Sequence, residues 1–254
     1  ELNFNLWKYC MFRREKSLVL TDLPDKIRQV NTCEITNRKE YMDAERDLIM
    51  YLQKYKDADD DKIAKAMRGE VMVRINILRQ ISARGKVRDV IEFVKDFREN
   101  GKKIILFCSL HEVVDQLKRY FPTAVSVTGR DSQDEKQRAV DAFQNNPKAD
   151  IIICSIKAAG VGLTLTASSN VAFVEFPWTY ADCCQCEDRA HRIGQKDSVT
   201  CYYFLGRRTI DEKVYRIIQE KKNIANAVTG STEDIEENIV DMVARIFDTD
   251  YDDE

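Results

Sequence analysis

Histidine, proline and glycine are scarce in this 254-residue chain, with two, four and nine residues respectively. Two histidines, His111 and His191, and eight cysteines bunched only at Cys183, Cys184 and Cys186 leave no Cys/His set with zinc-ligand spacing. No metal site is therefore expected, and the cysteines read as free thiols of a reducing compartment. Scarce proline and glycine leave no linker-like stretch, and no internal repeat is visible. No apolar run approaches the roughly 18 residues a membrane helix needs, which argues against a membrane partner. Glu1 to Trp7 show neither an initiator Met nor a signal-peptide pattern, so the chain is expected to start inside a longer, non-secreted polypeptide.

Positive charge in excess is also missing. The net charge is -3, but it is unevenly spread. Thirteen acidic and five basic residues lie between Thr209 and Glu254, which leaves +5 on the preceding body. A mildly basic body with an acidic tail can still present a local cationic face.

Hydrophobic periodicity divides the chain into three zones. Residues 1–84 are charge-rich and helical in pattern, with apolar faces at Leu48, Ile49, Leu52 and Tyr55 and at Met67, Val71, Ile75 and Leu78. From 85 to 208 short apolar strands alternate with helices. A helix from Val87 to Phe97 stops at Asn100-Gly101, and strands are expected at Lys103–Cys108, Ala124–Thr128, Asp150–Cys154, Val171–Phe176 and Val199–Leu205. Helices are expected at Val113–Tyr120, Gln133–Phe143 and Ala181–His191. This alternation predicts an α/β fold, a mostly parallel sheet flanked by helices on both faces. From 209 to 254 two amphipathic helices and an acidic tail follow.

In open parallel sheets ligands bind beyond the carboxyl ends of the strands, so the residues after each strand carry the chemistry. After Cys154 comes Ser155-Ile156-Lys157-Ala158-Ala159-Gly160-Val161-Gly162-Leu163-Thr164-Leu165. Gly160 and Gly162 allow backbone to approach a ligand closely, and a hydroxyl, an ammonium and backbone amides are natural phosphate partners. The second element is Gln185-Cys186-Glu187-Asp188-Arg189-Ala190-His191-Arg192-Ile193-Gly194-Gln195. On a continuous helix Gln185, Arg189 and Arg192 would share a face, and Asp188 could pair with Arg192. Two guanidinium groups so placed suit a fork reaching for polyphosphate.

Together the two elements resemble motifs V and VI of Swi/Snf-type superfamily-two ATPases, and the string Asp188 to Gln195 is close to diagnostic for that family. Pro177-Trp178 resembles the family's Pro-Trp element, although Thr179-Tyr180 stands where Asn-Pro is usual, Cys186 replaces a common Ala and Thr164 a common Asn. Lys103 to Ser109 resembles motif IV; Val127-Thr128-Gly129, with Arg138, Val140 and Phe143, resembles motif IVa. Phe12 to Lys16, Leu23-Pro24-Asp25-Lys26, Arg79-Gln80 and Gly85-Lys86-Val87 are similar to the segments joining and opening the second lobe. The resemblance leans towards the annealing-helicase branch.

The resemblance implies a RecA-like second lobe over 85–208, a helical inter-lobe segment over 1–84, and C-terminal brace helices with an acidic tail over 209–254. It implies ATP-driven translocation on double-stranded DNA, with ATP and Mg²⁺ bound mainly by the first lobe of the same polypeptide. Arg189 and Arg192 would be the catalytic arginine fingers. Gly160, Gly162 and Gln185 would meet ATP, and Ser109, Thr128, Gly129, Ser155, Lys157 and Trp178 would meet DNA. Trp178 has an alternative as a core residue, and Arg13, Arg14 and Lys16 would either touch phosphates or pack the lobe junction. Such a protein would work in the nucleus of a eukaryote, or the cytoplasm or nucleoid of a bacterium.

The chain contains no GxxxxGK[ST] loop. Its Gly-Lys pairs, Gly85-Lys86 and Gly101-Lys102, are followed by Val and Lys. None of its acidic pairs, Asp134-Glu135, Glu187-Asp188 and Asp211-Glu212, ends an apolar strand. The chain alone is therefore expected not to hydrolyse ATP. Two rivals remain: a non-catalytic nucleic-acid- or protein-binding module on the same fold, which would not need the Gln185, Arg189 and Arg192 fork, and a nucleotide-binding oxidoreductase, which would need a GxGxxG after its first strand.

Overall fold

The computed structural model describes residues 22–56, 61–158 and 162–225, with Leu20 and Val243 in addition. Arg13, Arg14, Lys16, Gly160 and the helical pattern after Asp234 lie outside the described residues.

The apolar runs of the middle zone become the strands β2 (Ile104–Cys108), β3 (Val125–Val127), β4 (Ile151–Ser155), β5 (Asn170–Phe173) and β6 (Val199–Gly206). Alternate residues point to opposite faces. Ile105, Phe107, Ile152, Cys154, Val171, Phe173, Cys201 and Tyr203 feed one core cluster. Ile104, Leu106, Ile151, Ile153, Ala172 and Phe204 feed the other. A strand buried on both faces has no polar side, hence the continuous runs.

One strand was not legible. Within the region expected to be helical, β1 (Lys26–Cys33) pairs in parallel with β6 along its whole length, Lys26 opposite Val199 through Cys33 opposite Gly206. The sheet thus has six strands, all parallel in their pairings, in the order β1-β6-β5-β2-β4-β3. The reason β1 is hidden is physical. Its charged Lys26 and Arg28 side chains are only 18% and 22% exposed, whereas Ile27 and Val30 are 53% and 45% exposed. Over Lys26–Arg28 the usual apolar-inside pattern is inverted, a device that blunts edge strands, and Val30, on the same face as Lys26 and Arg28, lies outside the core.

The rest of the first zone is helical where described. Helix α1 (Arg38–Lys56) packs against α2 (Asp61–Glu99), a 39-residue helix that runs without a break through the boundary expected at residue 84. Its Val71, Ile75 and Leu78 enter the first cluster, and Val87, Val90 and Val94 the second. It ends where expected: Gly101, with φ 65°, donates to the Arg98 carbonyl at 2.9 Å while Lys102 donates to Phe97 at 2.9 Å. This satisfies the last helical carbonyls and requires a left-handed residue.

Among the described residues four further helices cover the sheet: α3 (His111–Tyr120), α4 (Gln133–Asn145), α5 (Tyr180–Glu187) and α6 (Ile210–Ala225). Ser132 and Glu135 form a capping box at the start of α4. Helix α2 is tied to α6 by a buried ion pair, Lys86 Nζ to Asp211 Oδ2 at 2.6 Å, with Ser82 and the Gly206 amide on the same carboxylate oxygen at 2.7 and 3.0 Å. Gly206 permits this approach, and Gly85 lets α2 lie against the segment between β1 and α1. A Cβ on Gly85 would lie 2.7 Å from Ile35 Cβ, and one on Gly206 2.5 Å from the Ser82 hydroxyl.

Candidate nucleotide and DNA interface

Because the strands are parallel, their carboxyl ends share one edge of the sheet. Ser109 follows β2, Thr128 and Gly129 follow β3, and Ser155 ends β4 with Lys157 just beyond it. Trp178 follows β5. Topology therefore gathers all six residues expected to face DNA at that edge. Their availability differs. Ser109, Gly129 and Lys157 are exposed, whereas Thr128 and Ser155 are buried. The Thr128 hydroxyl donates to Asp131 at 2.8 Å, and the Ser155 hydroxyl accepts from the Ala158 amide at 3.2 Å, so both shape their turns. Trp178 is half-buried, with the Arg79 guanidinium 4.0 Å from its ring centroid. Arg79 also donates to the Phe176 carbonyl and so pins the Pro177-Trp178 loop to α2.

A carboxylate not singled out in the sequence sits beneath this edge. Glu175 Oε2 accepts the backbone amides of Ser109 at 2.8 Å and Leu110 at 3.0 Å, fixing the turn between β2 and α3. Burial pushes its pKa above the ordinary carboxylate range, against the lowering effect of those amides and of Lys86 and Arg79. The signal was present: an acid inside the apolar run Val171–Phe176 needs a partner.

The arginine segment departs from expectation. The helix expected over Ala181–His191 is α5, Tyr180–Glu187, started by the Thr179 cap and ended at Asp188. Gln185 lies on the helix and is exposed, but Arg189 and Arg192 lie in the turns that follow it. The three therefore do not share a helical face. Nor is Arg192 paired with Asp188: its guanidinium donates to the Leu163 carbonyl at 3.4 Å and the Thr164 hydroxyl at 3.3 Å, while Asp188 meets Lys26 at 3.2 Å.

The two segments are nevertheless held side by side. The Leu165 amide donates to the Arg189 carbonyl at 2.8 Å. Gln195, buried, donates to the Ser168 carbonyl at 2.9 Å and accepts from the Lys196 and Asp197 amides at 2.9 and 3.1 Å. Gly162, exposed and at φ 25°, lies within the same crossover, as does exposed Thr164. Since α5 starts near the carboxyl edge and runs back along the sheet, Arg189 and Arg192 lie away from the edge that carries Ser109 and Gly129. Among the described residues no group of three His, Cys, Asp or Glu is placed to hold a metal ion.

Comparison with known proteins gives this geometry a context. Residues 85–194 match the helicase conserved C-terminal domain. The chain is 30% identical over 228 residues to the SWI/SNF-related matrix-associated actin-dependent regulator of chromatin subfamily A-like protein 1 of Xenopus tropicalis, a match covering 87% of this chain and 23% of that protein. It is 31% identical over 232 residues to the human DNA annealing helicase and endonuclease ZRANB3, covering 87% of this chain and 20% of that protein. The chain thus spans less than a quarter of either relative. Among solved structures, the C-terminal part of the Fun30 ATPase domain matches with a TM-score of 0.65 at 17% identity, over 88% of this chain and 99% of that one. The Sulfolobus solfataricus SWI2/SNF2 ATPase core in complex with double-stranded DNA matches with a TM-score of 0.63 at 23% identity, over 84% of this chain and 48% of that one.

Proposed function

We propose that this chain, whose residues 85–194 match the helicase conserved C-terminal domain, is the second, closing lobe of a Swi/Snf-type, DNA-stimulated, ATP-driven translocase that remodels DNA or protein–DNA complexes. The observation that carries this reading is the attachment of the Arg189–Gln195 turns to the Gly162–Ser168 crossover. It holds the Arg189 backbone and the Arg192 guanidinium against a segment whose glycine allows close approach to a ligand.

ATP and Mg²⁺ are held mainly by the first lobe of the polypeptide. When the lobes close, Arg189 and Arg192 face the γ-phosphate, with Gln185 and the Gly160–Gly162 segment beside the nucleotide. Negative charge spreads over the γ-phosphate oxygens during transfer, and a preplaced guanidinium matches it. For Arg192 this means leaving the Thr164 hydroxyl, a contact at 3.3 Å that is easily exchanged. The carboxyl edge meets the DNA backbone, chiefly through Ser109, Gly129 and Lys157, with Thr128, Ser155 and Trp178 shaping the loops. Contacts to phosphate rather than to bases suit a motor that passes over any sequence. The carboxyl edge and the arginine turns are separate regions of the lobe, and the crossover from Ser155 to Ser168 connects them. This chain alone supplies no nucleotide-binding P-loop and is expected to be inactive.

The test is substitution in the full-length polypeptide. Arg189→Ala or Arg192→Ala lowers DNA-stimulated kcat at least about a hundredfold, since such a finger contributes about 10³ to 10⁵ in other NTPases. The melting temperature of the Arg192→Ala protein stays near normal, because Arg192 is exposed and its contacts to Leu163 and Thr164, at 3.4 and 3.3 Å, are long. Lysine does not rescue, since an ammonium lacks the planar fork. Retention of more than about a tenth of normal kcat by both alanine variants would remove the finger assignment.

A further inference from the structure

Two residues before Arg189 lies a carboxylate with no exposure at all. Glu187 is 0% exposed, yet it is gripped by three side chains. Arg28 holds it in a fork, Nε to Oε1 at 2.7 Å and a terminal nitrogen to Oε2 at 2.6 Å. Lys26 Nζ stands 2.9 Å from Oε2, and the Tyr203 hydroxyl donates to Oε1 at 2.8 Å. The same short stretch of chain makes two more links. Lys26 reaches Asp188 at 3.2 Å, and the His191 ring lies 2.7 Å from the Pro24 carbonyl. Residues 24–28, at the start of β1, are thus fastened to the turn that presents the arginines.

An ion pair this deep is a poor way to gain stability, because desolvation cancels most of the attraction and an apolar cluster would serve as well. What it provides is one defined position. Burial alone would raise the Glu187 pKa, but the hydrogen bond and charge of Arg28, with Lys26, outweigh it and hold the group below the ordinary carboxylate range. The carboxylate is therefore charged at neutral pH and the fork is fully engaged. Tyr180 lies under the Arg28 guanidinium, 5.1 Å from the ring centroid, and keeps that fork in plane.

We propose that Lys26 and Arg28 are positioning residues for phosphoryl transfer, acting through Glu187 to fix the turn that carries Arg189 and Arg192. This rests on the finger reading above and extends it to a strand outside the matched domain. It gives the inverted pattern of β1 a purpose: its charges face inward because their partner is the base of the arginine turn. A guanidinium displaced by about 1 Å loses much of its effect on the transition state while leaving nucleotide and DNA binding intact.

The experiment uses the full-length polypeptide and measures kcat at saturating DNA, KM for ATP, DNA affinity and melting temperature. Glu187→Gln and Arg28→Gln lower kcat about ten- to a hundredfold, with KM and DNA affinity within about threefold, and Arg28→Lys recovers part of the loss. In an Arg192→Ala background Glu187→Gln costs no more than about threefold further, because its effect passes through that turn. Should Glu187→Gln fail to fold, Lys26→Gln leaves the Arg28–Glu187 fork in place and still lowers kcat about threefold or more with normal melting. A kcat within about threefold of normal in the folded variants overturns the proposal, as does a loss that multiplies with that of Arg192→Ala. If Arg189→Ala and Arg192→Ala were themselves near normal, the finger reading would fall by its own test and the positioning role with it. A normal Glu187→Gln beside inactive arginine variants removes the positioning role alone.

Discussion

Gly129 carries no side chain, and the fold supplies no reason for it. A Cβ added there would find nothing within 4 Å, and its backbone is not left-handed. Gly101 differs, since its φ of 65° closes the end of α2. A glycine free of structural demand at the carboxyl edge is what close approach of a phosphate backbone requires. Gly129→Ala is therefore expected to leave stability within about 0.5 kcal/mol of normal while weakening DNA binding and raising the DNA concentration needed for half-maximal ATP turnover. Denaturation curves and a DNA titration of the full-length protein check both halves. Equal DNA response in the two proteins would return Gly129 to an ordinary turn. Thr128 beside it is the contrary case, with its hydroxyl already committed to Asp131.

Among elements, α2 depends on the absence of a side chain at Gly85, where a Cβ would meet Asn37 Oδ1 at 2.2 Å and Ile35 Cβ at 2.7 Å. Gly85→Ala is expected to cost about 1–3 kcal/mol, the range for forcing extra volume into a packed site, although alanine is the better helix former. Urea unfolding of this chain measures it, and a stabilised variant would refute the packing account. The strands β2, β4 and β6 were legible because burial on both faces leaves a long apolar run. Strand β1 was not, because its inward side chains are charged and find their partners at Glu187 and Asp188, more than 150 residues away. The same contact explains the misjudged helix. Local spacing favoured continuation to His191, but Asp188 and His191 answer to Lys26 and Pro24, and α5 stops at Glu187. The residue types of the arginine segment could be read from sequence; their placement depended on tertiary contacts.

At the scale of the molecule, a net charge of -3 divides into +5 on residues 1–208 and -8 on the rest. Binding of this chain to double-stranded DNA is expected to be weak, indifferent to sequence and dependent on salt. If two or three cations neutralise phosphates, affinity falls about ten- to fortyfold between 50 and 200 mM salt. Fluorescence anisotropy with two unrelated duplexes of equal length checks this, and a flat salt response would speak against backbone binding.

The pairing of β1 with β6 also sets an order of assembly. Ile27 lies opposite Thr200, so the first described strand is synthesised long before its partner exists. At about 5–20 residues per second, translation leaves roughly ten to thirty seconds in which β1 has no place to dock. During that interval Lys26 and Arg28 stand in water as ordinary cations, and a strand that would otherwise invite pairing with other nascent chains stays soluble. When the segment from Tyr180 to Gly206 emerges, it brings both the missing neighbour and the acid that draws those cations inward. The lobe cannot finish its sheet before the arginine turn has been made, and the two are completed together.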